Sequence, residues 1–468
     1  MEYDVIIIGA GPGGYRAAEY SAKQGLKVVI FEAAEVGGTC LNVGCIPTKT
    51  YVHSATFEEA RERMAQVVPQ LRQGVEGILS HPNITLVRAR AAFGNHGDCP
   101  CGSSKAEIKG TFPVILADGE CYTAPNVIIA TGSETKWLPI AGKDAPRVVD
   151  STGLLRLETL PKRLCIIGAG VIGMEFASVF RRFGSEVTVI EYLKECLPAL
   201  DSDIAKRLRK LMEKEGIVFN MQSAVRQIIS SPESGGARGG LNSIVFEEKK
   251  GNMSTVEADV VLMATGRKPR TAGLNLEAVG ITLAPNGSIP VDDNFQLSTF
   301  NCQHSSVYAI GDVNGRQLLA HAAEMQAVHV VNHILGKPDG IRFDIMPAAI
   351  FTEPEAACVG PSEDQLKEQG IPYVCKKSFW RANGKALAMN ETEGLLKLFV
   401  SPPESGGVPE GRGGLNGRIL GCHAFGAHAA DMIQEVSVLM CRDTTVSQLA
   451  DMVHIHPTLS EILKVAAE

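Results

Sequence analysis

The chain has 468 residues, of which 45% are hydrophobic and 21% charged, and its formal net charge is −7. A chain of this length exceeds what one hydrophobic core supports, so about three or four globular domains are expected. A dispersed acidic balance without a basic stripe argues against nucleic acid and anionic membranes as partners. No apolar run approaches the roughly 18 residues of a transmembrane helix, and no leader precedes the first predicted strand, so a cytoplasmic location is expected.

The first predicted element is a continuous apolar run at residues 3–8, which is typical of a buried parallel strand. Residues 9–14 read GAGPGG and lead into an amphipathic stretch, and a second apolar strand at residues 26–31 ends at Glu32. In such a β-α-β motif Gly9 allows a tight turn, Gly11 lets backbone N–H groups approach a pyrophosphate, and Gly14 permits close helix packing. Glu32 can accept hydrogen bonds from a ribose. The motif predicts a dinucleotide site.

Cys40 and Cys45 follow closely, within residues 37–49, which read GGTCLNVGCIPTK. A bridge between them would close a very short loop and would stabilise the fold little through loop entropy. The spacing, next to a predicted cofactor site, therefore indicates a redox-active disulfide. Two reduced cysteines at the start of a helix are the alternative.

The β-α-β motif then recurs. A strand at residues 163–167 runs into residues 168–173 (GAGVIG), a helical stretch follows, and a strand at residues 187–190 ends at Glu191. Gly168, Gly170 and Gly173 take the same roles as Gly9, Gly11 and Gly14. Each motif is closed later by an apolar strand that ends in Ala-Thr-Gly, at residues 127–132 and 260–266. The sequence therefore predicts a duplicated architecture with two dinucleotide sites.

Position and charge predict which nucleotide each site binds. The first site adjoins the cysteine pair, so its ligand must exchange electrons with sulfur, which is a task for FAD. At the second site Glu191 would repel a 2′-phosphate and bond a 2′-hydroxyl, and the following Tyr192 and Leu193 supply no arginine. NAD is therefore expected over NADP. Lys194 lies close enough to weaken this preference without reversing it.

From about residue 343 the pattern changes to short antiparallel-type strands, at residues 348–351, 395–400 and 418–422, followed by helices. Earlier, residues 309–312 read AIGD and residues 318–321 read LLAH, and near the end residues 454–461 read HIHPTLSE. With the glycine loops and residues 37–49, these stretches resemble the flavin-dependent pyridine-nucleotide disulfide oxidoreductases over nearly the whole chain. Within that family they look like the members that oxidise dihydrolipoamide with FAD and NAD⁺ as cofactors.

The resemblance implies an α/β fold with two Rossmann-like dinucleotide-binding domains and a C-terminal α+β dimerisation domain. The expected domains are an FAD-binding domain with the redox disulfide at residues 1–145, an NAD-binding domain at 146–270, a central domain that completes the FAD site at 271–342, and the dimerisation domain at 343–468. It also implies a homodimer with a composite active site. The implied partner is the lipoyl domain of a 2-oxo acid dehydrogenase complex or of the glycine cleavage system.

The resemblance also assigns roles to the reacting groups. Cys40 is the interchange thiol that forms a mixed disulfide with substrate, and Cys45 is the thiol that faces the flavin. A thiol with a pKa of about 8.5 is mostly protonated at neutral pH, so the dithiol substrate needs a base. His456 takes that role, and Glu461 fixes its tautomer and stabilises the imidazolium. His454 is the competing histidine, but the family pattern places the base immediately before proline.

Further contacts are implied near the flavin and the nucleotide. Lys49 and Glu175 match positions that pair near the flavin, where a cation would stabilise its reduced anionic form. Asp312 is expected on the ribityl chain. The other implied cofactor contacts are Thr39, Thr131, Gly132, Leu318, Ala320 and His321 around FAD and Gly266 around NAD.

Alternatives remain open. A glutathione or mercuric reductase shares residues 37–40, but a mercuric reductase would usually end in a cysteine pair, whereas residues 464–468 read KVAAE. Outside enzymes, the chain could be a flavin-bearing assembly subunit with incidental redox activity. The presence of both Cys40 and Cys45, together with His456 and Glu461, argues for catalysis.

Three stretches depart from the pattern. Residues 231–242 and 401–416 are similar serine- and glycine-rich segments, each between two predicted strands, and are interpreted as lengthened hairpin loops. Cys99 and Cys101 in residues 96–101 (HGDCPC) suit a thiol relay or a metal, but no full ligand set is evident locally. Other scattered cysteines, Cys121 and Cys165 among them, are expected as lone thiols of a reducing compartment.

Overall fold

The computed structural model describes residues 3–94, 113–230, 240–297, 306–402 and 417–468. Cys99 and Cys101 and most of the two serine- and glycine-rich segments lie outside the described residues. The strands on either side of each segment pair antiparallel, as the hairpin interpretation requires.

The strands are numbered in chain order. They are β1 Val5–Ile8, β2 Val28–Phe31, β3 Ile84–Val87, β4 Ala91–Gly94, β5 Val114–Ala117, β6 Glu120–Thr123, β7 Asn126–Ile129, β8 Ser133–Thr135, β9 Val148–Val149, β10 Arg163–Ile167, β11 Glu186–Glu191, β12 Val218–Met221, β13 Ala224–Ser230, β14 Asn242–Glu247, β15 Met253–Ala258, β16 Val260–Met263, β17 Arg267–Pro269, β18 Ser306–Ala309, β19 Ala348–Ile350, β20 Ala356–Val359, β21 Val374–Phe379, β22 Leu395–Val400 and β23 Ile419–Phe425.

The α-helices are numbered in the same way. They are α1 Pro12–Lys23, α2 Gly38–Val43, α3 Cys45–Val52, α4 Phe57–Leu79, α5 Ser151–Leu155, α6 Val171–Arg182, α7 Ser202–Lys214, α8 Ala320–Ile334, α9 Glu363–Glu368, α10 Gly384–Met389, α11 Ala429–Cys441, α12 Val446–Ala450 and α13 Glu461–Ala467. Short 3-10 helices occur at Leu276–Val279, Gly311–Asn314 and Trp380–Ala382.

The chain groups into two compact units. The first consists of Met1–Lys136 and Gly266–Ile341, and the second of Trp137–Thr265 and Arg342–Glu468. The finer division at residues 145, 270 and 342 stays a prediction.

The first unit is built on a parallel sheet with strand order β18-β7-β1-β2-β3. Every residue of β1 and β2 is buried, as expected for strands that are covered on both faces. Helices α1 and α8 pack against each other, and the sheet joins a three-stranded antiparallel sheet, β4-β5-β6, in one apolar core. The register aligns Ile8 with Phe31 and with Ile129, so the strands end at a common carboxyl edge.

The second unit repeats this design and adds to it. Its parallel sheet has the order β12-β11-β10-β16-β9. In this sheet β10 and β11 are neighbouring strands, as β1 and β2 are in the first unit. An antiparallel sheet, β13-β14-β15, is inserted in sequence between β12 and β16 of the parallel sheet, and a five-stranded antiparallel sheet, β19-β20-β23-β22-β21, carries α11 on one face. The predicted α/β fold class with a C-terminal α+β part is confirmed.

The second unit also buries an ion cluster that joins α7 to the five-stranded sheet. The Lys397 side chain on β22 is 1% exposed, and its Nζ lies 2.7 Å from Oδ1 of Asp201 and 2.5 Å from Oε2 of Glu363. Asp201 caps α7, and its backbone N–H donates to Nδ1 of His423 at 3.0 Å. Burial opposes the charge on Lys397, but its hydrogen bonds to the two carboxylates outweigh burial and raise its pKa. The fold therefore depends on this ammonium group being present.

Replacement of this lysine tests that dependence. We expect Lys397→Met to lower the free energy of unfolding by about 3 to 5 kcal/mol, because it leaves two carboxylates together without their cation. Lys367→Met is the matched control, since Lys367 pairs with the same Glu363 at 3.1 Å but its side chain is 62% exposed. The control should cost under about 1 kcal/mol. Urea denaturation followed by circular dichroism measures both, and equal losses would contradict the prediction.

Candidate active site

The first glycine loop closes tightly over the end of the sheet but leaves its outer edge open. Gly9 has φ +102°, and a Cβ on it would lie 2.5 Å from the carbonyl oxygen of Ala130. A Cβ on Gly14 would lie 1.8 Å from the carbonyl oxygen of Gly9. At Gly11 the nearest atom to such a Cβ is 3.9 Å away, and no side chain caps the start of α1. This open backbone edge at a helix N-terminus suits a pyrophosphate.

Glu32 braces the same loop. Its Oε2 accepts the N–H of Ala10 and its Oε1 accepts the N–H of Ala34, each at 2.8 Å. A carboxylate has about four acceptor sites, so bonds to a ribose remain available. The bracing role was not predicted from the sequence, which indicated only the ribose contact.

The second glycine loop has the same construction. A Cβ on Gly168 would lie 2.4 Å from the carbonyl oxygen of Ala264, and one on Gly173 would lie 2.0 Å from that of Gly168. A Cβ on Gly170 would meet nothing within 4 Å. Glu191 is 9% exposed, and it accepts the N–H of Ala169 at 2.6 Å and of Leu193 at 2.7 Å. The duplication read from the sequence therefore extends to the hydrogen bonds.

Predicted cofactor residues gather at the carboxyl edges of the two parallel sheets. In the first unit Gly9 follows β1, Glu32 follows β2, Thr131 and Gly132 follow β7, and Asp312 follows β18. In the second unit Gly168 follows β10 and Glu191 ends β11; along the chain, Gly266 comes shortly after β16. Ligands of open α/β sheets bind at this edge. The remaining predicted contacts lie on or beside helices of the first unit, with Thr39 on α2, Lys49 on α3, and Leu318, Ala320 and His321 at the start of α8.

Asp312 is held in position by its neighbours. Ser133 donates its hydroxyl to Oδ2 of Asp312, and Nε of Arg267 donates to that hydroxyl oxygen at 2.7 Å. On the other side, Oε1 of the buried Gln326 accepts the N–H of Gly311 at 2.8 Å. Ser133, Arg267 and Gln326 were not predicted, because no pattern in the sequence links them to Asp312.

Cys40 and Cys45 form a disulfide with a Cα–Cα distance of 4.7 Å. It joins α2 to the start of α3, and its loop lies directly on the nucleotide loop. The N–H of Gly37 donates to the carbonyl oxygen of Ala10 at 2.8 Å, and a Cβ on Gly38 would lie 2.7 Å from Cα of Gly11. The disulfide is therefore attached to the backbone that is shaped for a pyrophosphate.

Most other described cysteines are free thiols. They are Cys165, Cys196, Cys358, Cys375, Cys422 and Cys441. Cys121 is disulfide-bonded, so the expectation of a lone thiol was wrong there. Periodicity in the sequence gives no information on which thiols meet in the fold.

His456 and Glu461 form a pair near the C-terminus. Nδ1 of His456 lies 2.9 Å from Oε1 of Glu461, whose Oε2 accepts the N–H of Thr458 at 3.0 Å. The N–H of Thr458 and the imidazole lower the pKa of the Glu461 carboxyl, which therefore stays ionised. The His456 ring is 79% exposed, and no hydrogen bond to its Nε2 is found among the described residues. This arrangement leaves Nε2 accessible to take a proton.

His454 has a different environment. Its Nδ1 lies 3.1 Å from the carbonyl oxygen of Met452 and its Nε2 lies 3.2 Å from Oε1 of Glu435, with the side chain 6% exposed. Both ring nitrogens are thus engaged, which favours a structural role and leaves His456 as the candidate base.

Lys49 and Glu175 fall in different units. Lys49 lies on α3, one turn beyond Cys45, and Glu175 lies on α6. Glu175 is buried at 3% exposure, and its Oε1 accepts the N–H of Phe351 at 2.9 Å. Their pairing stays a prediction.

None of the helices in the described ranges is long and apolar enough to cross a membrane. Among the same residues, no three His, Cys, Asp or Glu side chains are grouped to hold a metal ion.

Known proteins resemble the chain over its full length. Residues 3–327 match the family described as pyridine nucleotide-disulphide oxidoreductase, and residues 346–467 match its dimerisation domain. A mitochondrial dihydrolipoyl dehydrogenase of Pisum sativum is 36% identical over 489 residues, which cover 100% of this chain and 91% of that protein. A leghemoglobin reductase of Glycine max is 35% identical, with coverage of 100% and 87%. The solved HOCl-induced flavoprotein disulfide reductase RclA from Escherichia coli superposes with a TM-score of 0.82 at 30% identity and covers 98% of each chain.

Two of the three glycines of the second loop, Gly170 and Gly173, allow a paired test. We expect Gly170→Ala to fold like the wild type, because its Cβ meets no atom, but to weaken dinucleotide binding about tenfold or more by occupying the open edge. Gly173→Ala should instead lower the melting temperature, because its Cβ overlaps the backbone of Gly168 and overpacking costs about 1 to 3 kcal/mol. Nucleotide titration and thermal melts separate the two effects. Unchanged affinity in Gly170→Ala would contradict the assignment of the loop.

Proposed function

The chain belongs to the pyridine nucleotide-disulphide oxidoreductase family, and from that premise we propose that it is a dihydrolipoamide dehydrogenase, which oxidises dihydrolipoamide to lipoamide and reduces NAD⁺. The observation that carries the proposal is the Cys40–Cys45 disulfide seated on the first nucleotide loop, in a chain that also holds the His456–Glu461 pair. The dihydrolipoyl dehydrogenases among its relatives support the choice of substrate.

Members of this family use FAD and a pyridine nucleotide, and the residues of this chain fit both groups. At the first site Gly9, Gly11 and Glu32 would hold the FAD pyrophosphate and ribose, and the oriented carboxylate of Asp312 would hold the ribityl chain. At the second site Gly168, Gly170 and Glu191 would hold the pyridine nucleotide. FAD supplies the two-electron chemistry that connects a dithiol to NAD⁺.

The protein groups carry the thiol chemistry. Nε2 of His456 takes the proton of one substrate thiol, while Glu461 holds Nδ1 and stabilises the imidazolium. The substrate thiolate attacks Sγ of Cys40, which breaks the Cys40–Cys45 bond and releases Cys45 as a thiolate. The second substrate thiol then attacks the substrate's own sulfur in the mixed disulfide, closes the lipoamide ring and displaces Cys40, whose leaving Sγ takes the second proton while His456 keeps the first. The two electrons of the substrate remain on the Cys40–Cys45 dithiol.

We place the base and the disulfide of one active site on different subunits. The matched dimerisation domain carries His456, and two neighbouring apolar side chains are strongly exposed, Val453 at 98% and Ile455 at 78%. A second copy of the chain that covers these side chains would bring His456 to the other subunit's Cys40. The proposed partner of the dimer is the lipoyl domain of a 2-oxo acid dehydrogenase complex or of the glycine cleavage system.

A second candidate is a reductase of another disulfide or acceptor. It is favoured by the leghemoglobin reductase and the flavoprotein disulfide reductase that match this chain at 35% and 30% identity. A steady-state comparison of dihydrolipoamide, glutathione and Hg²⁺ with both pyridine nucleotides distinguishes the candidates. The free thiols at six described cysteines fit the cytoplasmic location that is part of this proposal.

The nucleotide preference follows from charge. We expect kcat/KM for NAD⁺ to exceed that for NADP⁺ at least about tenfold, because Glu191 is a buried carboxylate where a 2′-phosphate would lie. Lys194 is exposed three residues further on, so Lys194→Ala should lower the residual NADP⁺ activity and leave NAD⁺ activity unchanged. Equal values for the two nucleotides in the wild type would refute the argument from charge.

The base assignment is tested by a pair of histidine variants. His456→Gln should lower dihydrolipoamide oxidation by about 10² to 10⁴-fold, the usual contribution of a general base. Reduction of artificial acceptors by NADH should persist, because it needs no proton from a dithiol. His454→Gln is the matched control and should retain dihydrolipoamide oxidation within a few-fold. A reversal of the two outcomes would transfer the role to His454.

Mixed dimers test the shared site. Cys45→Ser and His456→Gln chains, each expected to be inactive alone, are co-expressed with different tags. In their heterodimer, one site combines the intact disulfide of the His456→Gln chain with His456 of the Cys45→Ser chain. Purified heterodimers should recover dihydrolipoamide oxidation. FAD-loaded heterodimers without activity would refute the assignment of base and disulfide to different subunits.

A further inference from the structure

The side chain of Asn42 lies between the two cysteines in sequence and is fully engaged. Its Nδ2 donates to the carbonyl oxygens of Val36 and Gly38, each at 2.9 Å. Val36 precedes α2 and Gly38 is its first residue, so one amide near the end of α2 ties together the backbone at its start.

Arg72 completes this arrangement from another helix. Nε of Arg72, on α4, donates to Oδ1 of Asn42 at 2.9 Å, and its Nη1 lies 3.5 Å from Oε2 of Glu35. Because Oδ1 receives the arginine proton, the amide is oriented with Nδ2 toward the two carbonyls. The Arg72 side chain is 29% exposed, so its replacement leaves no buried cavity.

The tied segment is the one that contacts the nucleotide loop. Gly37 donates to Ala10, and Gly38 packs on Gly11. The hydrogen bonds of Asn42 therefore act on the backbone between the nucleotide loop and Cys40. None of these atoms belongs to a group that reacts. These hydrogen bonds can therefore affect the disulfide only by fixing the position of the backbone that carries Cys40.

We propose that Arg72 is a positioning residue which, through Asn42, sets the equilibrium between the disulfide and dithiol forms of Cys40 and Cys45. The inference rests on the proposed function, since it concerns the same cysteine pair. In the dithiol form the S–S bond no longer restrains the loop. The hydrogen bond from Arg72 to Asn42, together with those from Asn42 to the backbone, then holds Cys40 within reach of Cys45. Without them the open form gains conformational freedom and becomes the more populated form.

The experiment uses the FAD-loaded protein without nucleotide, kept anaerobic in buffers of reduced and oxidised dithiothreitol. Each dithiothreitol that closes to its cyclic disulfide gives two electrons and two protons to the Cys40–Cys45 bond. After acid quench and alkylation, mass spectrometry of the peptide with both cysteines gives the oxidised fraction. Arg72→Met should lower the equilibrium constant for disulfide formation roughly three- to tenfold, the size of one net hydrogen bond.

Arg72→Gln separates the hydrogen bond from the charge. Its Nε2 follows the same three carbons as the arginine Nε, so a donor to Asn42 is retained while the cation is lost. We expect this variant to stay within about twofold of the wild type. Arg88→Met is the control for loss of an exposed arginine, because Arg88 pairs with Glu76 at 2.8 Å, away from the redox loop in sequence, and its loss should leave the equilibrium unchanged. Asn42→Ala should shift the equilibrium like Arg72→Met, without a further shift in the double variant.

An Arg72→Met protein that titrates like the wild type would overturn the proposal. An equal shift in Arg72→Gln would overturn it as well, because the charge would then carry the effect. Dihydrolipoamide plays no part in the measurement, so an error in the proposed substrate would leave the comparison of these variants intact.

Discussion

The contact between two loops is the constraint on which the rest of this site depends. Gly37 donates its N–H to Ala10 in the nucleotide loop, and Gly38 approaches Gly11 so closely that a Cβ would lie 2.7 Å from its Cα. Because both positions need glycine, a side chain added at either one would force the backbone of the redox loop and the nucleotide loop to shift together. The disulfide is thereby fixed beside the edge at which a dinucleotide binds, and electron exchange between sulfur and cofactor requires that proximity.

The carboxylates that close the two motifs also support the glycine loops. Glu32 follows the second strand of the first motif and Glu191 ends that of the second, and each accepts a backbone N–H of its own glycine loop. A loop that is rich in glycine loses much conformational entropy when it orders, so a fixed acceptor helps to keep it in one shape. In the proposed function the same carboxyl group would also bond the ribose and, at the second site, repel a 2′-phosphate. Bracing and recognition would then use one residue.

The two histidines near the C-terminus differ in what surrounds them and not in their own chemistry. His454 is 6% exposed with both ring nitrogens engaged, whereas the His456 ring is 79% exposed with only Nδ1 engaged by Glu461. A base must have a free nitrogen for the substrate proton, so this difference supports the proposal of His456 as the base. Elsewhere in the same unit, the buried Lys397 is charged because its ammonium group contacts Asp201 and Glu363. The same ion pairs on the surface would contribute little to the free energy of unfolding.

Local spacing was enough to predict the α/β class, the duplicated glycine loops and the position of the redox pair. In each motif a strand is followed by glycines, then by a helix, and then by a strand that leads to an acid. Local spacing could not reveal contacts between residues that are distant in the chain. The bonds from Ser133 and Gln326 that hold the Asp312 turn and the link from Arg72 to Asn42 join residues whose separations follow no period. These contacts emerge only in the folded chain, because packing brings together side chains that local patterns leave unrelated.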